Sequence, residues 1–216
     1  MHTNLSRAAG LLLSLALLGL AACDAAGAPA PSASTGSAAH SGHAAQPPAP
    51  GEPTDESVYN LESVWRDQLG RERTLGSLAG RVQVVSIVYT YCGRTCPQVL
   101  LDMKRIEGAT GGGAGFVLVS IDPARDTPDR LRTFAEGARL DPARWTLLSG
   151  GDGDVLELAA LLGVKYRRES ATELSHSNVL VVLDRRGEIV HRQLGLGGEG
   201  VDRTAQAVRA ALRPET

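Results

Sequence analysis

The stretch VQVVSIVYTYCGRTCPQVL, residues 82–100, is the part of the sequence that most clearly indicates the fold. Residues 82–89 are apolar and rich in β-branched side chains, a pattern that is typical of a buried central strand. Two cysteines, Cys92 and Cys96, follow this strand and precede Pro97. Apolar residues then recur at helical spacing, at Val99, Leu100, Met103 and Ile106. The sequence therefore predicts a strand, a loop that carries two cysteines, and a helix that begins near Cys96.

Strands and helices alternate on both sides of this stretch. We predict an N-terminal β-hairpin at residues 59–75, and a chain that ends in a second hairpin and a helix. The remaining predicted strands are residues 116–121, 145–148, 177–183 and 188–193, and the remaining helices are residues 128–138, 154–162 and 201–212. This order indicates an α/β domain over residues 58–216. Because a cysteine pair lies between an early strand and its helix, we predict a thioredoxin-like fold with a central mixed sheet flanked by helices.

The first 22 residues have the features of a lipoprotein signal peptide. Arg7 supplies a positive charge, and residues 11–20 form an apolar segment shorter than the roughly 20 residues that a membrane span needs. The segment ends in LAAC at residues 20–23, which resembles the bacterial lipobox. We therefore expect Cys23 to be lipidated and to hold the domain at a membrane of the bacterial cell envelope, on the extracytoplasmic side. An ordinary cleavage site beside an unrelated cysteine is the alternative.

Residues 23–57 are predicted to form a flexible linker after the lipidated cysteine. They are mostly Ala, Pro, Ser and Gly, and such a segment buries too little apolar surface to fold. His40 and His43 lie in this linker, where we expect them to be solvated, with transient metal capture as the alternative. The net charge of the chain is −2. This value argues against a nucleic-acid partner, because such proteins need an excess of basic residues.

The two cysteines of the domain are expected to be reactive. The chain has only three cysteines, too few for a disulfide scaffold. Cys92 and Cys96 are four residues apart, which places both sulfur atoms on one side of the helix start. The positive end of the helix and the neighbouring Arg94 both favour a thiolate and lower a cysteine pKa. Such a pair closes a disulfide or binds a soft metal, and the two cysteines alone leave both open.

A histidine near a later strand bears on this choice. His176 comes just before the strand predicted at residues 177–183, and the loop entering that strand of a thioredoxin-like fold faces the cysteine-bearing helix start. Thioredoxin-like reductases place a cis-proline there, whereas this chain has no proline between Pro142 and Pro214. Two thiolates and an imidazole suit Cu(I), and they also hold Cu(II) or Zn(II). The alternative is a loop histidine hydrogen bonded to a neighbouring backbone group.

Several ordered segments resemble the Sco/SenC copper proteins. Residues 88–97, VYTYCGRTCP, resemble the C-x₃-C-P loop of that family, and residues 119–128, VSIDPARDTP, are close to its S-x-D-P-x-x-D-T-P segment. Shorter phrases at residues 145–146, 163–167 and 176–177 fall in the family's order. His176 follows Cys96 by 80 residues, a separation that is typical of the family. The resemblance covers about residues 59–212.

This resemblance implies a copper metallochaperone with one copper ion per chain, bound by Cys92, Cys96 and His176. It also implies two kinds of partner: a copper-dependent cytochrome oxidase subunit, and a copper donor or thiol reductant. Proteins of the family deliver copper, reduce the cysteines of the target, or do both. The family loop usually has a proline after the first cysteine, where this chain has Gly93, followed by the cationic Arg94. This departure bears on redox potential and partner choice rather than on metal binding.

Two other kinds of protein are alternatives to the metallochaperone. The first is a metal-independent thiol–disulfide oxidoreductase of the cell envelope, in which Cys92 and Cys96 form the redox-active pair. Such a reductase has no use for His176, because disulfide exchange needs only the thiols. The second is a peroxiredoxin-like peroxidase, which would need a separate resolving cysteine, whereas here both thiols share one loop.

Further residues near these motifs have either a role at the site or an ordinary structural role. Asp122 and Asp126 follow a strand end and either support the site or dock a partner, or they simply form a turn and a cap. Tyr89 and Tyr91 either shield the site or are ordinary aromatic residues of a strand end. Met103 is predicted to lie in the core, and His191 is predicted to lie on a surface strand.

Overall fold

The computed structural model describes residues 53–92, 95–170 and 174–214. The predicted signal peptide, Cys23, and the linker histidines His40 and His43 lie outside these residues, as do Gly93 and Arg94 of the cysteine loop. Among the helices that the structure describes, none has the length and apolar character that crossing a bilayer requires.

The described residues form nine strands, seven of which make one sheet. In chain order the strands are β1 (Trp65–Asp67), β2 (Glu72–Arg73), β3 (Gln83–Val88), β4 (Gly115–Ser120), β5 (Trp145–Ser149), β6 (Tyr166–Arg168), β7 (Leu174–His176), β8 (Val179–Leu183) and β9 (Ile189–Leu194). The large sheet has the order β2-β1-β5-β4-β3-β8-β9, and β6 pairs with β7 in a separate two-stranded sheet.

The large sheet is mixed, as predicted. Strands β3, β4 and β5 are parallel, whereas β8 and β9 continue the sheet antiparallel on one side and β1 and β2 on the other. All six residues of β3 and all six of β4 are buried, because parallel central strands are covered on both faces. The mixed sheet and its helices confirm the predicted thioredoxin-like fold.

Four α-helices accompany the sheet. They are α1 (Cys96–Ala109), α2 (Pro128–Gly137), α3 (Asp152–Leu162) and α4 (Glu199–Ala211). Helix α1 packs against α4 and β3, and α2 packs against β5 and β1. The Thr127 hydroxyl accepts a hydrogen bond from the Arg130 N–H and begins α2, which is the usual role of an N-cap threonine before a proline. Gly163 ends α3 with a φ of 72°, a conformation that glycine adopts without strain.

Two predicted elements differ from the observed ones. The N-terminal hairpin is present but short, because residues Val58–Asn60 form a 3-10 helix and only β1 and β2 pair. The second difference concerns His176, which we placed in a loop. It is the last residue of β7, where it pairs with Tyr166 of β6. The sequence did not indicate this β6–β7 hairpin because its residues are mostly polar and lack the apolar alternation of a half-buried strand.

Candidate metal centre

The connection from β3 to α1 brings the two cysteines together. The Cys92 N–H donates to the Tyr89 carbonyl over 3.1 Å, which turns the chain at the end of the strand. Helix α1 then begins at Cys96, whose N–H donates to Cys92 Sγ over 3.5 Å. Cys92 Sγ also lies 3.6 Å from Thr95 Oγ1. The Cys96 N–H lies at the helix start, where it has no partner within the helix, and it points to the sulfur atom of Cys92. Both cysteines therefore face the same side, as predicted.

The β6–β7 hairpin adds an imidazole to the two sulfur atoms. His176 Nε2 lies 3.9 Å from Cys96 Sγ. His176 Nδ1 lies 3.2 Å from the Ser177 carbonyl, and a carbonyl only accepts hydrogen bonds, so the ring proton is assigned to Nδ1. The other nitrogen, Nε2, then presents its lone pair to the cysteines. The predicted backbone hydrogen bond of this histidine is therefore compatible with a ligand role.

The three donor atoms fit a single small metal ion. The ligand atoms of Cys92, Cys96 and His176 all lie within 4.8 Å of one another. Metal–sulfur bonds of about 2.3 Å and metal–nitrogen bonds of about 2.0 Å place neighbouring donors roughly 4 Å apart. Cys96 is buried, whereas Cys92 and His176 are half-buried. The soft donor set and its partial access to solvent suit a copper ion that enters and leaves.

The protonation of the site differs from the expectation for the cysteines. We predicted a lowered cysteine pKa, but burial raises the pKa of the Cys96 thiol to about 12. Removal from water disfavours the charged thiolate more than the helix start favours it. Burial also lowers the pKa of His176, which keeps the imidazole neutral. A metal ion must therefore displace a proton from Cys96, but it meets an imidazole that is already free to bind.

The two tyrosines of the cysteine loop have different surroundings. Tyr89 is buried, its hydroxyl donates to the Leu174 carbonyl over 3.1 Å, and its ring meets the His176 ring edge-on with the centroids 6.1 Å apart. Tyr91 is 54% exposed, and the guanidinium groups of Arg125 and Arg130 lie over its ring, at 5.0 Å and 4.5 Å from the ring centroid. Tyr89 thus contacts the site, as the shielding hypothesis requires, whereas Tyr91 contacts arginines at the surface.

The two aspartates are both buried, and their polar contacts differ. Asp126 accepts hydrogen bonds from the Thr90 N–H over 3.0 Å and from the Ser120 hydroxyl over 2.6 Å. It therefore holds the backbone two residues before Cys92. Asp122 pairs with Arg125 and, over 3.7 Å, with Arg168 of β6. The turn hypothesis is also met, because the Arg125 and Asp126 N–H groups donate to the Asp122 carbonyl.

The remaining predicted residues lie away from the site. Met103 is fully buried in the core, as predicted. His191 lies on the edge strand β9, where its Nε2 is 3.2 Å from Thr204 Oγ1 of α4. Sequence reasoning did not identify Thr90 or the carbonyl groups of Leu174 and Ser177 as parts of the site. A backbone carbonyl has no sequence signal, since every residue carries one.

Comparisons with known proteins identify the family of this chain. The SCO1/SenC family profile matches residues 56–212. A protein of Stutzerimonas stutzeri, named as a candidate copper-binding protein, is 30% identical over 145 residues, which are 63% of this chain and 69% of that protein.

Solved structures of similar proteins share the fold. ScoI of Bradyrhizobium japonicum with copper bound has a TM-score of 0.57 and 24% identity, over 69% of this chain and 94% of that one. BsSco, described as a member of the Sco family of cytochrome c oxidase assembly proteins with a disulfide switch, has a TM-score of 0.62 and 21% identity, over 71% and 94% of the two chains. The profile match and the 30% identical relative show that the chain belongs to the SCO1/SenC family.

Proposed function

We propose that this protein is a copper metallochaperone that carries one copper ion as its cargo. The observation that carries the proposal is the placement of the Cys92, Cys96 and His176 donor atoms within 4.8 Å of one another. Two thiolates with one imidazole suit Cu(I) and also accept Cu(II). The copper-binding names of similar proteins support the same cargo.

The exposure of the site supports transfer of the ion rather than permanent storage. Cys92 and His176 are half-buried, and a cavity of ≈ 320 Å³ beside the histidine is lined by Tyr166, Arg167 and Ser175, among others. A closed structural metal site has four protein ligands, whereas three come together here among the residues that the structure describes. The cysteines of a partner can therefore approach the ion and take it by ligand exchange.

The proposed partner is a copper-dependent cytochrome oxidase subunit. A structural relative, BsSco, is described as belonging to a family of cytochrome c oxidase assembly proteins, which supports this choice. A copper donor must reload the site before each delivery. A thiol reductant must act whenever Cys92 and Cys96 have been oxidised, because they bind copper only in their reduced form. The net charge of −2 argues against a nucleic-acid partner.

A second candidate function is thiol–disulfide exchange with that same partner. It is favoured by the placement of Cys92 and Cys96, both in the reduced thiol form, in one loop and by the disulfide switch described for BsSco. In this reaction the two thiols are oxidised to a disulfide while a disulfide of the partner is reduced to two thiols. His176 takes no part in this exchange, so the histidine separates the two functions.

Deletion of the gene is expected to lower copper-dependent oxidase activity, most severely when copper is scarce, because delivery then limits assembly. Added copper should restore part of the activity. Complementation with Cys92→Ser should fail fully and complementation with His176→Ala in large part, because the histidine variant still retains some Cu(I), while the matched His191→Ala variant should restore respiration. Oxidase activity of membranes measures each outcome. Normal respiration with His176→Ala, together with failure of Cys92→Ser, would replace the metallochaperone with the thiol reductase.

We further propose that Cys23 anchors the chain to the membrane of the cell envelope through a lipid. The support is the LAAC segment at residues 20–23, and several buried acyl chains provide stable attachment. Cys23→Ser is expected to abolish incorporation of a labelled fatty acid, whereas Cys92→Ser should leave it unchanged. Equal labelling of the wild type and Cys23→Ser would contradict the lipid anchor.

A further inference from the structure

Tyr89 connects the cysteine loop with the strand that carries the histidine. Its carbonyl accepts a hydrogen bond from the Cys92 N–H over 3.1 Å. Its hydroxyl donates to the Leu174 carbonyl in β7 over 3.1 Å, in a buried hydrogen bond. Its ring also packs edge-on against the His176 ring, at an interplanar angle of 75°. A single residue directly after β3 thus contacts the cysteine loop through its backbone carbonyl and the histidine strand through its side chain.

The β6–β7 hairpin needs such a connection. It has three residues in each strand and is not hydrogen bonded to the seven-stranded sheet, and a hairpin of two short strands is marginally stable by itself. The Asp122–Arg168 pair also reaches the hairpin, but it spans 3.7 Å and the Arg168 side chain is 49% exposed. Although the Asp122 carboxylate is buried, an ion pair of that length with its other charge half in water contributes little. The buried hydrogen bond from the Tyr89 hydroxyl to the Leu174 carbonyl therefore holds the hairpin more firmly than this ion pair does.

We propose that Tyr89 is a positioning residue of the metal centre, whose hydroxyl fixes β7 and thereby holds His176 Nε2 against Cys96. The inference rests on the proposed copper site. Its consequence depends on the oxidation state, because Cu(I) is satisfied by two thiolates whereas Cu(II) depends more on the imidazole. Loss of the hydroxyl should therefore weaken Cu(II) retention and leave Cu(I) retention nearly unchanged.

The chain offers a matched control for this hydroxyl. Tyr59 is as buried as Tyr89, at 5% against 6% exposure, but its hydroxyl has no hydrogen-bond partner among the described residues. Tyr89→Phe and Tyr59→Phe thus remove the same atom from equally buried rings. In the full chain, Tyr89→Phe is expected to weaken Cu(II) retention about tenfold, because the loss of an outer partner of a metal ligand commonly has an effect of this size. Tyr59→Phe should match the wild type, and both variants should retain Cu(I).

A metal-free measurement completes the test. Amide hydrogen exchange and the ring signals of His176 are recorded by NMR for the reduced proteins without copper. Tyr89→Phe should speed exchange in β7 and alter the His176 ring signals, whereas exchange in β3 should stay slow. Tyr89→Leu, which also removes the ring contact, should enlarge both effects.

The outcomes separate the two proposals. If the wild type binds no copper, the proposed function fails, while the NMR measurements still test the positioning role. If the wild type binds Cu(II) and Tyr89→Phe retains it as firmly as Tyr59→Phe, with unchanged His176 signals, the positioning role is overturned. Equal losses of Cu(I) and Cu(II) in Tyr89→Phe would also overturn it, because they would reflect damage to the cysteine loop.

Discussion

Cys92→Ser or Cys96→Ser is expected to reduce the copper content of the full chain from about one ion to almost none. Each substitution replaces one of two thiolates by a hydroxyl, which is a poor ligand for Cu(I). The remaining thiolate and imidazole form a weaker and less soft site for copper than the complete set of donors. In the Cu(II) form, the wild type should show sulfur-to-copper charge-transfer absorption, and either substitution should abolish it. Metal analysis and visible absorption measure the two effects.

The chain supplies controls for this experiment. Cys23→Ser removes a sulfur atom outside the domain and should leave the absorption band unchanged. Removing both linker histidines, by His40→Ala and His43→Ala, should likewise preserve it. Thermal unfolding shows whether the buried Cys96 tolerates serine, and Cys92→Ser serves as the second variant because that side chain is only partly buried. Tight Cu(II) binding that survives Cys92→Ser but not the histidine removal would move the metal site into the linker.

His176→Ala is expected to weaken Cu(II) retention by at least about tenfold and Cu(I) retention much less. Loss of an outer partner of a metal ligand commonly costs about 10- to 100-fold in affinity, so loss of the imidazole itself should cost at least as much. Cu(I) keeps both thiolates and so loses less. Competition with a chelator of known affinity, carried out separately for each oxidation state, measures the difference.

His191→Ala is the matched control for this variant. Both histidines are half-buried strand residues with one ring nitrogen close to an oxygen, at 3.2 Å in each case. His191 lies on β9 and contacts α4 rather than the cysteines, so its removal should leave both affinities unchanged. Unchanged Cu(II) retention in His176→Ala would assign the histidine a purely structural role.

Local sequence patterns predicted most of the large sheet. The apolar runs of β3, β4 and β8 stand out because buried strands have no polar face to interrupt them. The helix α1 was predicted from the spacing of Val99, Met103 and Ile106, which are fully buried. The β6–β7 hairpin could not be predicted in this way, since its strands are short and polar and their pairing depends on where the hairpin docks.

Sequence patterns alone were enough to predict the thioredoxin-like architecture, the cysteine pair at the start of α1 and, through the ordered family segments, His176 as the third candidate ligand. The folded structure was needed to show that Tyr89 joins Leu174 to the cysteine loop, and that Asp122 and Asp126 are buried. It also decided that the pKa of Cys96 is raised rather than lowered. The physical reason is that strand and helix patterns arise between neighbouring residues, whereas burial and contacts over some 80 residues depend on how the whole chain packs.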